Sequence, residues 1–299
     1  MPLVATLITD PSNPLLSQAL AADASGDMAS GRPDWLATGI ACDVPLKEGV
    51  AGDDARAAMA DALGGQPVDI VVQEAVGRAK DLLIADMDST MIDQECVDEL
   101  AAQAGVYEKV AGITKRAMNG EIEFEAAMRE RVALLAGLEL ATIGNVIENR
   151  ITLAAGGRTT VATMKASGAY TALVSGGFTA FTDPISEMLG FDENRANVLG
   201  KRDGKLDGTV AEPVLGQQAK VNALNELCAS RGISVNEAIA VGDGANDLGM
   251  LELAGSGVAM HAKPVVSARA RMRIDHGDLT ALLYIQGYRR DQFRSVPEQ

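Results

Sequence analysis

The spacing of apolar and polar residues changes period several times along the chain, and the changes mark out its elements. Short apolar runs at residues 3–8, 36–41 and 68–72 read as strands, with helical patterns at 15–22 and 54–63 between them. Residues 26–33 and 50–54 are punctuated by Gly, Pro and Asp and read as loops. The first 78 residues therefore predict a small β-α-β-α-β unit. A second, sharper apolar run, Leu82-Leu-Ile-Ala85, has no clean alternation, which is the pattern of a strand buried on both faces of a parallel sheet. From 93 to 150 the period is helical throughout, with helices at 93–104, 107–118, 123–136 and 139–149. Phe124, Met128, Val132 and Leu135 form one apolar stripe on the third of them. Arg131 sits at the edge of that stripe, where an arginine ordinarily reaches out to solvent.

Strand and helix then alternate again. A helix is predicted at 159–166, and a strand at 169–174 runs into Ser175-Gly-Gly-Phe178. A helix start at Asp183-Pro184 puts a cap before a proline in the first helical position. Asp203-Gly204 between β-like flanks predicts a hairpin. A helix at 217–230 carries Lys220, and a strand at 238–241 runs into Gly242-Asp243-Gly-Ala-Asn246-Asp247. Short strands at 257–260 and 272–274 and a helix at 278–286 close the chain. Strands alternating with helices predict an α/β class with a parallel sheet.

Three of these strands end in chemistry. The first ends in Asp86-Met-Asp88-Ser-Thr, the second in a Ser-Gly-Gly turn, the third in Asp243 and its glycines. In open α/β sheets the carboxyl ends of the strands are where ligands bind. Asp residues at i and i+2 on a strand project to one side and repel unless a cation or a shared proton compensates. An isolated Asp-x-Asp is ordinarily an acidic turn and an isolated Ser-Gly-Gly is common. Three such ends on one edge are harder to assign to coincidence.

Composition narrows the partners. With 41 acidic against 26 basic residues and a net charge of −15, the chain lacks the electropositive surface that nucleic acid or an anionic membrane requires. No apolar run is long enough to span a bilayer, and the N-terminus lacks the basic start of a signal peptide, so a cytoplasmic protein is expected. Cys42, Cys96 and Cys228 are far apart, odd in number and without paired metal-ligand spacing. Neither disulfides nor structural zinc are expected.

The three strand ends supply what phosphoryl transfer through a carboxylate needs: a nucleophile, an acid/base, a cation and fixed donors for the phosphate oxygens. Asp86 would attack phosphorus and Asp88 would protonate the leaving oxygen and then activate water. Asp86 and Asp243, with the backbone carbonyl of Asp88, would hold a hard cation, for which Mg²⁺ is suited. Ser175, the backbone N–H groups of the Gly176-Gly177 turn and Lys220 would complete the phosphate site, with Asn246 and Asp247 holding the cation's waters or orienting neighbours. Rival chemistries lack their signatures. No Gly-x-x-x-x-Gly-Lys-Ser/Thr occurs, no cysteine is followed six positions later by arginine, and His261 and His276 adjoin no arginine-led phosphate motif.

Asp86-Met-Asp88-Ser-Thr, Ser175-Gly-Gly-Phe178, Lys220 and Gly242-Asp243-Gly-Ala-Asn246-Asp247, in that order, resemble the four motifs of the haloacid dehalogenase-like superfamily. Glu95, Ile113-Thr-Lys-Arg-Ala-Met118, Phe124 and Arg129-Glu-Arg131 resemble the helical cap of its phosphoserine phosphatases. The resemblance covers roughly residues 81–290. It implies a Rossmannoid core (79–92 and 151–299), a helical cap (93–150) inserted after the first motif, Mg²⁺ dependence and hydrolysis of O-phospho-L-serine. It further implies that Glu95 binds the substrate ammonium and Arg131 its carboxylate, with Phe124 and Met118 lining the apolar side. Met87 departs from the aromatic residue many relatives carry there, in what reads as a packing position. Residues 1–78 carry none of these motifs and resemble only weakly the ferredoxin-like, amino-acid-binding regulatory modules of some relatives. A dimerising or serine-sensing role is open to them, and a chain starting near Arg78 would keep turnover if they are dispensable. Two other functions fit the same residues: phosphotransfer to an acceptor such as homoserine, and amino-acid binding without catalysis. The intact Asp86, Asp88, Lys220 and Asp243 argue against the second.

Overall fold

The computed structural model describes residues 2–118, 121–294 and 296. Its first sheet joins β1 (Leu3–Ile8), β2 (Asp34–Ala37), β3 (Ala41–Pro45) and β4 (Asp69–Glu74) in the antiparallel order β2-β3-β1-β4. Helices α1 (Gln18–Ser25) and α2 (Gly52–Leu63) complete a β-α-β-β-α-β element order, that of ferredoxin-like units. The single strand expected at 36–41 is in fact two. Gly39, at φ 78°, turns the chain between them, and residues 38–40 form that turn. The alternation of Leu36 to Ala41 hides the turn because the apolar residues on both sides of it are buried.

The second sheet has the order β12-β11-β10-β5-β6-β7, and every adjacent pair is parallel. Its central strand is β5 (Leu82–Ala85), all four residues of which are buried, as a strand covered on both faces must be. Four helices follow: α3 (Cys96–Gln103), α4 (Tyr107–Met118), α5 (Phe124–Ala133) and α6 (Ala141–Arg150). The stripe expected on α5 is real: Met128, Val132 and Leu135 are buried, and Phe124 is packed against the same core.

The chain returns through α7 (Gly157–Ala166) to β6 (Tyr170–Phe178), which continues without a break into α8 (Thr179–Leu189). Pro184 therefore lies inside α8 and does not open it. Burial of Phe181 and Thr182, with Thr182 Oγ1 donating to Asn194 Oδ1 at 2.6 Å, fixes the turn ahead of the proline and outweighs the lost backbone bond. The edge strand β7 (Glu193–Asn197) is polar and gave no apolar signal. A hairpin of β8 (Leu199–Arg202) and β9 (Lys205–Val210) turns at Asp203 and Gly204, both at positive φ, as expected. Then come α9 (Gln217–Arg231), β10 (Ala238–Gly242), α10 (Leu248–Leu253), β11 (Ser256–Met260), α11 (Pro264–Ser267), β12 (Met272–Ile274) and α12 (Ala281–Ile285).

The two sheets share a core. Ile8, Leu36, Ala37, Ala41 and Val71 belong to one apolar cluster with Leu282, Leu283 and Tyr284 of α12. Polar contacts reinforce the junction: Gln73 Nε2 donates to the Ile285 carbonyl at 2.7 Å, and Arg289 reaches the Trp35 carbonyl and Asp34. All three cysteines are buried free thiols. No helix among the described residues is long and apolar enough to cross a membrane.

Candidate active site

Asp86 follows β5 directly, and its N–H donates to the Val241 carbonyl at 3.0 Å, which extends the parallel ladder by one residue. The chain then folds back: the Met87 carbonyl accepts the N–H groups of Thr90, Met91 and Ile92, with Ser89 at φ 55°. Lys220, from the helix beside it, places Nζ 2.6 Å from Asp86 Oδ1 and 2.6 Å from Asp247 Oδ1. Lys220 is only 2% exposed, whereas a lysine on a helix ordinarily faces solvent. Asp247 accepts the Gly244 N–H at 2.9 Å through its other oxygen. It packs so closely under Gly242 that a Cβ there would lie 2.4 Å from its carboxyl carbon.

Two carboxylates on one ammonium leave this buried trio with excess negative charge. Burial, and then Asp247, push the Asp86 carboxyl well above its ordinary range against the opposing Lys220. Burial alone would lower the Lys220 ammonium, but Asp247 and Asp86 outweigh it and the net shift is upward. Such a site favours a further cation. Asp243, also buried, completes a set in which Asp86, Asp243 and Asp247 each offer an oxygen within 4.8 Å of the others. An all-oxygen, carboxylate-rich set fits a hard divalent ion such as Mg²⁺. Asp243 accepts from Thr90 Oγ1 at 3.2 Å and lies 3.4 Å from Lys263 Nζ. Burial raises its carboxyl to about 6 against the pull of Lys263.

Asp88 is held differently. One oxygen accepts the N–H of Cys96, the first residue of α3, at 2.7 Å, and the other accepts from Ser175 Oγ at 3.3 Å. Burial, then the charge of Glu95, raise it to about 6, with the Cys96 N–H opposing. A carboxyl that titrates there can both give and take a proton near neutrality. Gly177 donates its N–H to Ser175 Oγ at 2.8 Å, and a Cβ on Gly177 would meet Asp88 at 2.8 Å. Asn197 of the polar edge strand steadies this turn through Gly176, whose carbonyl accepts its amide at 2.9 Å.

A cleft of about 830 Å³ opens between these strand ends and the helices that follow β5. Asp86, Asp88, Glu95, Phe124, Arg131, Ser175, Gly176, Asp243 and Asn246 all line it. Lys220 does not, because it is buried behind Asp86. Phe124 and Asn246 both lie against Gly176, and the Phe124 ring also packs over Gly216. Glu95 Oε1 accepts from Ser89 Oγ at 2.9 Å. Its Oε2 makes no hydrogen bond among the described residues. Arg131 donates Nε to its own helix at Ala127, and burial lowers its pKa against Asp98, Glu95 and Asp88, which face it. The side chain of Met118, at the end of α4, lies outside what the structure describes.

Two contributors escaped the sequence reading. Thr90 belongs to the first motif, but nothing in the motif alone marks its hydroxyl as a donor to Asp243. Lys263 carries one sequence signal, its place just beyond the carboxyl end of β11, the same edge that carries the other groups.

Residues 83–252 match the family model of haloacid dehalogenase-like hydrolases, and the chain belongs to that family. Among proteins it resembles is a phosphoserine phosphatase of Polaromonas sp., 46% identical over 207 residues that cover 68% of this chain and 88% of that one. A phosphoserine phosphatase of Streptomyces coelicolor is 39% identical over 83% of this chain, which spans only 61% of that protein's length. Among solved structures, a HAD family hydrolase from Salmonella enterica serovar Typhi superposes with a TM-score of 0.84 at 29% identity, covering 95% of this chain and 98% of the other.

Proposed function

We propose that the chain is a phosphoserine phosphatase that hydrolyses O-phospho-L-serine to L-serine and phosphate, the last step of serine biosynthesis, in the cytoplasm. The observation that carries the reading is one cleft lined by Asp86, Asp88 and Asp243, with Lys220 paired to Asp86 from behind, and by the oppositely charged Glu95 and Arg131. Phosphoserine presents a phosphate, an ammonium and a carboxylate, and the cleft offers a complement to each. The curated relatives of the same name support the substrate assignment.

In this reading Asp86 attacks phosphorus to form an aspartyl-phosphate while Asp88 gives its proton to the leaving serine oxygen; Asp88 then takes a proton from the water that hydrolyses the intermediate. Ser175 and the Gly176 turn hold the phosphate, while Lys220, which reaches the site through Asp86, keeps that carboxylate aimed and offsets the charge the phosphate brings. Asp86 and Asp243, with the Asp88 carbonyl and Asp247, would hold Mg²⁺, which when bound offsets phosphate charge. Glu95 receives the ammonium, Arg131 the carboxylate, and Phe124 and Met118 bound the apolar side, with Asn246 beside the phosphate turn. Residues 79–92 and 151–299 act as the hydrolase core, 93–150 as a cap, and 1–78 as an appended unit. Phosphate release from a panel of phosphorylated metabolites, with and without Mg²⁺, tests the reading. Phosphoserine should be turned over fastest and only with the metal. Phosphate release that requires an added acceptor such as homoserine would replace hydrolysis by transfer.

A further inference from the structure

Asp69 belongs to the first sheet, yet its carboxylate is spent entirely on the second. It is 4% exposed and accepts the backbone N–H groups of Asp275 (2.7 Å), His276 (3.2 Å) and Gly277 (2.8 Å), three consecutive residues just beyond β12. The fit is close, since a Cβ on Gly277 would sit 3.3 Å from Asp69 Oδ2. A buried carboxylate that accepts three consecutive N–H groups fixes a turn firmly, because without them it would be a buried charge with no compensating donors.

The turn in turn holds His261. The ring Nε2 of His261 donates to the Gly277 carbonyl at 2.9 Å, and its backbone N–H donates to the Ile274 carbonyl at 2.8 Å. His261 adopts φ 44°, a left-handed conformation that a non-glycine residue keeps only where its surroundings impose it. Two residues on, the Lys263 N–H donates to the Asp243 carbonyl at 3.1 Å. Its ammonium lies 3.4 Å from Asp243 Oδ2 and 3.7 Å from Glu95 Oε1. Lys263 and Ser89 thus converge on the same oxygen of Glu95, which leaves Oε2 toward the cleft.

We propose that Asp69, through the 275–277 turn and His261, is a remote positioning residue that aims Lys263 at Glu95 and Asp243, so that the first sheet sets the substrate-selecting rim of the cleft. This rests on the phosphoserine reading for its kinetic consequence but not for its structural one. Lys263 orients Glu95 and offsets the negative charge that a phosphorylated amino acid meets on entry. The relay therefore acts on binding more than on the chemical step.

The test is a double-mutant cycle of Asp69→Asn and Lys263→Met on the full chain, with the exposed Asp53→Asn as control. Each of the first two is expected to raise the KM for phosphoserine about tenfold while kcat changes less than about twofold, and the pair to do no more than either alone. Backbone amide exchange across 261–265 should be faster in Asp69→Asn than in the parent. Losses that multiply, or unchanged exchange there, would overturn the relay. Should Asp69→Asn fail to fold, His261→Asn carries the same test, because asparagine accepts the positive φ but cannot reach the Gly277 carbonyl. A parent enzyme inert toward phosphoserine would fail the functional reading instead, and the exchange comparison would still decide the relay.

Discussion

The floor and the rim of the cleft are built from the same residue types under opposite conditions. On the floor, Lys220 joins Asp86 and Asp247 at 2.6 Å to each, and the three side chains are 7% exposed or less. On the rim, Lys263 lies 3.4 Å from Asp243 and 3.7 Å from Glu95, with the lysine and glutamate side chains 43% and 42% exposed. Burial removes solvent screening and leaves the floor no alternative partners, so its geometry is fixed before any ligand arrives. The rim stays hydrated, its pairs are weak, and Glu95 Oε2 remains available. The difference separates two tasks: the floor suits a reaction common to a family of phosphatases, and the rim suits the choice of substrate.

That division can be broken by substitution. The largest effect belongs to the floor. Asp86→Asn should abolish turnover of every phosphate ester, by at least about four orders of magnitude, as loss of a nucleophile does. Lys220→Met should cost nearly as much. It should also lower stability by about 3–5 kcal/mol, read from denaturant unfolding, because two buried carboxylates would lose the ammonium that both pair with. Rim substitutions should discriminate. Arg131→Ala should reduce kcat/KM for phosphoserine by about a hundredfold while leaving an aryl phosphate without a carboxylate within about threefold. Equal losses on both would sink the assignment of Arg131. Smaller still, Phe124→Leu should raise KM by only a few-fold, since it trims packing over Gly176 and Gly216 without removing charge.

What could be read from the sequence divides along a related line. Asp86, Asp88, Ser175 and Asp243 were legible because each follows an apolar run toward the carboxyl end of a strand, and those ends of a parallel sheet share one edge. Lys220 was not legible from its surroundings, since a helical lysine is ordinarily solvated, and only its resemblance to a family motif marked it. Lys263 is marked only by its place just past β11, and Asp69 by nothing local, because its meaning lies in partners far along the chain: it meets residues 275–277. The strand β7 went unseen because an edge strand that contributes Asn197 to the glycine turn has no need of an apolar pattern. The junction of the two sheets was equally invisible, and it changes one expectation. A chain starting near Arg78 would uncover the face of α12 that Ile8, Leu36 and Val71 cover, so loss of solubility or of thermal stability is now expected on truncation.

Hydrolysis through an aspartyl-phosphate requires Asp86 to carry the phosphoryl group. Rapid quenching of the enzyme during phosphoserine turnover, followed by mass spectrometry of its peptides, reads this directly. One acid-stable, hydroxylamine-labile phosphoryl group is expected on the peptide containing Asp86, and none in Asp86→Asn. A phosphoryl group on another residue, or an Asp86→Asn enzyme that hydrolyses phosphoserine as fast as the parent, would contradict it.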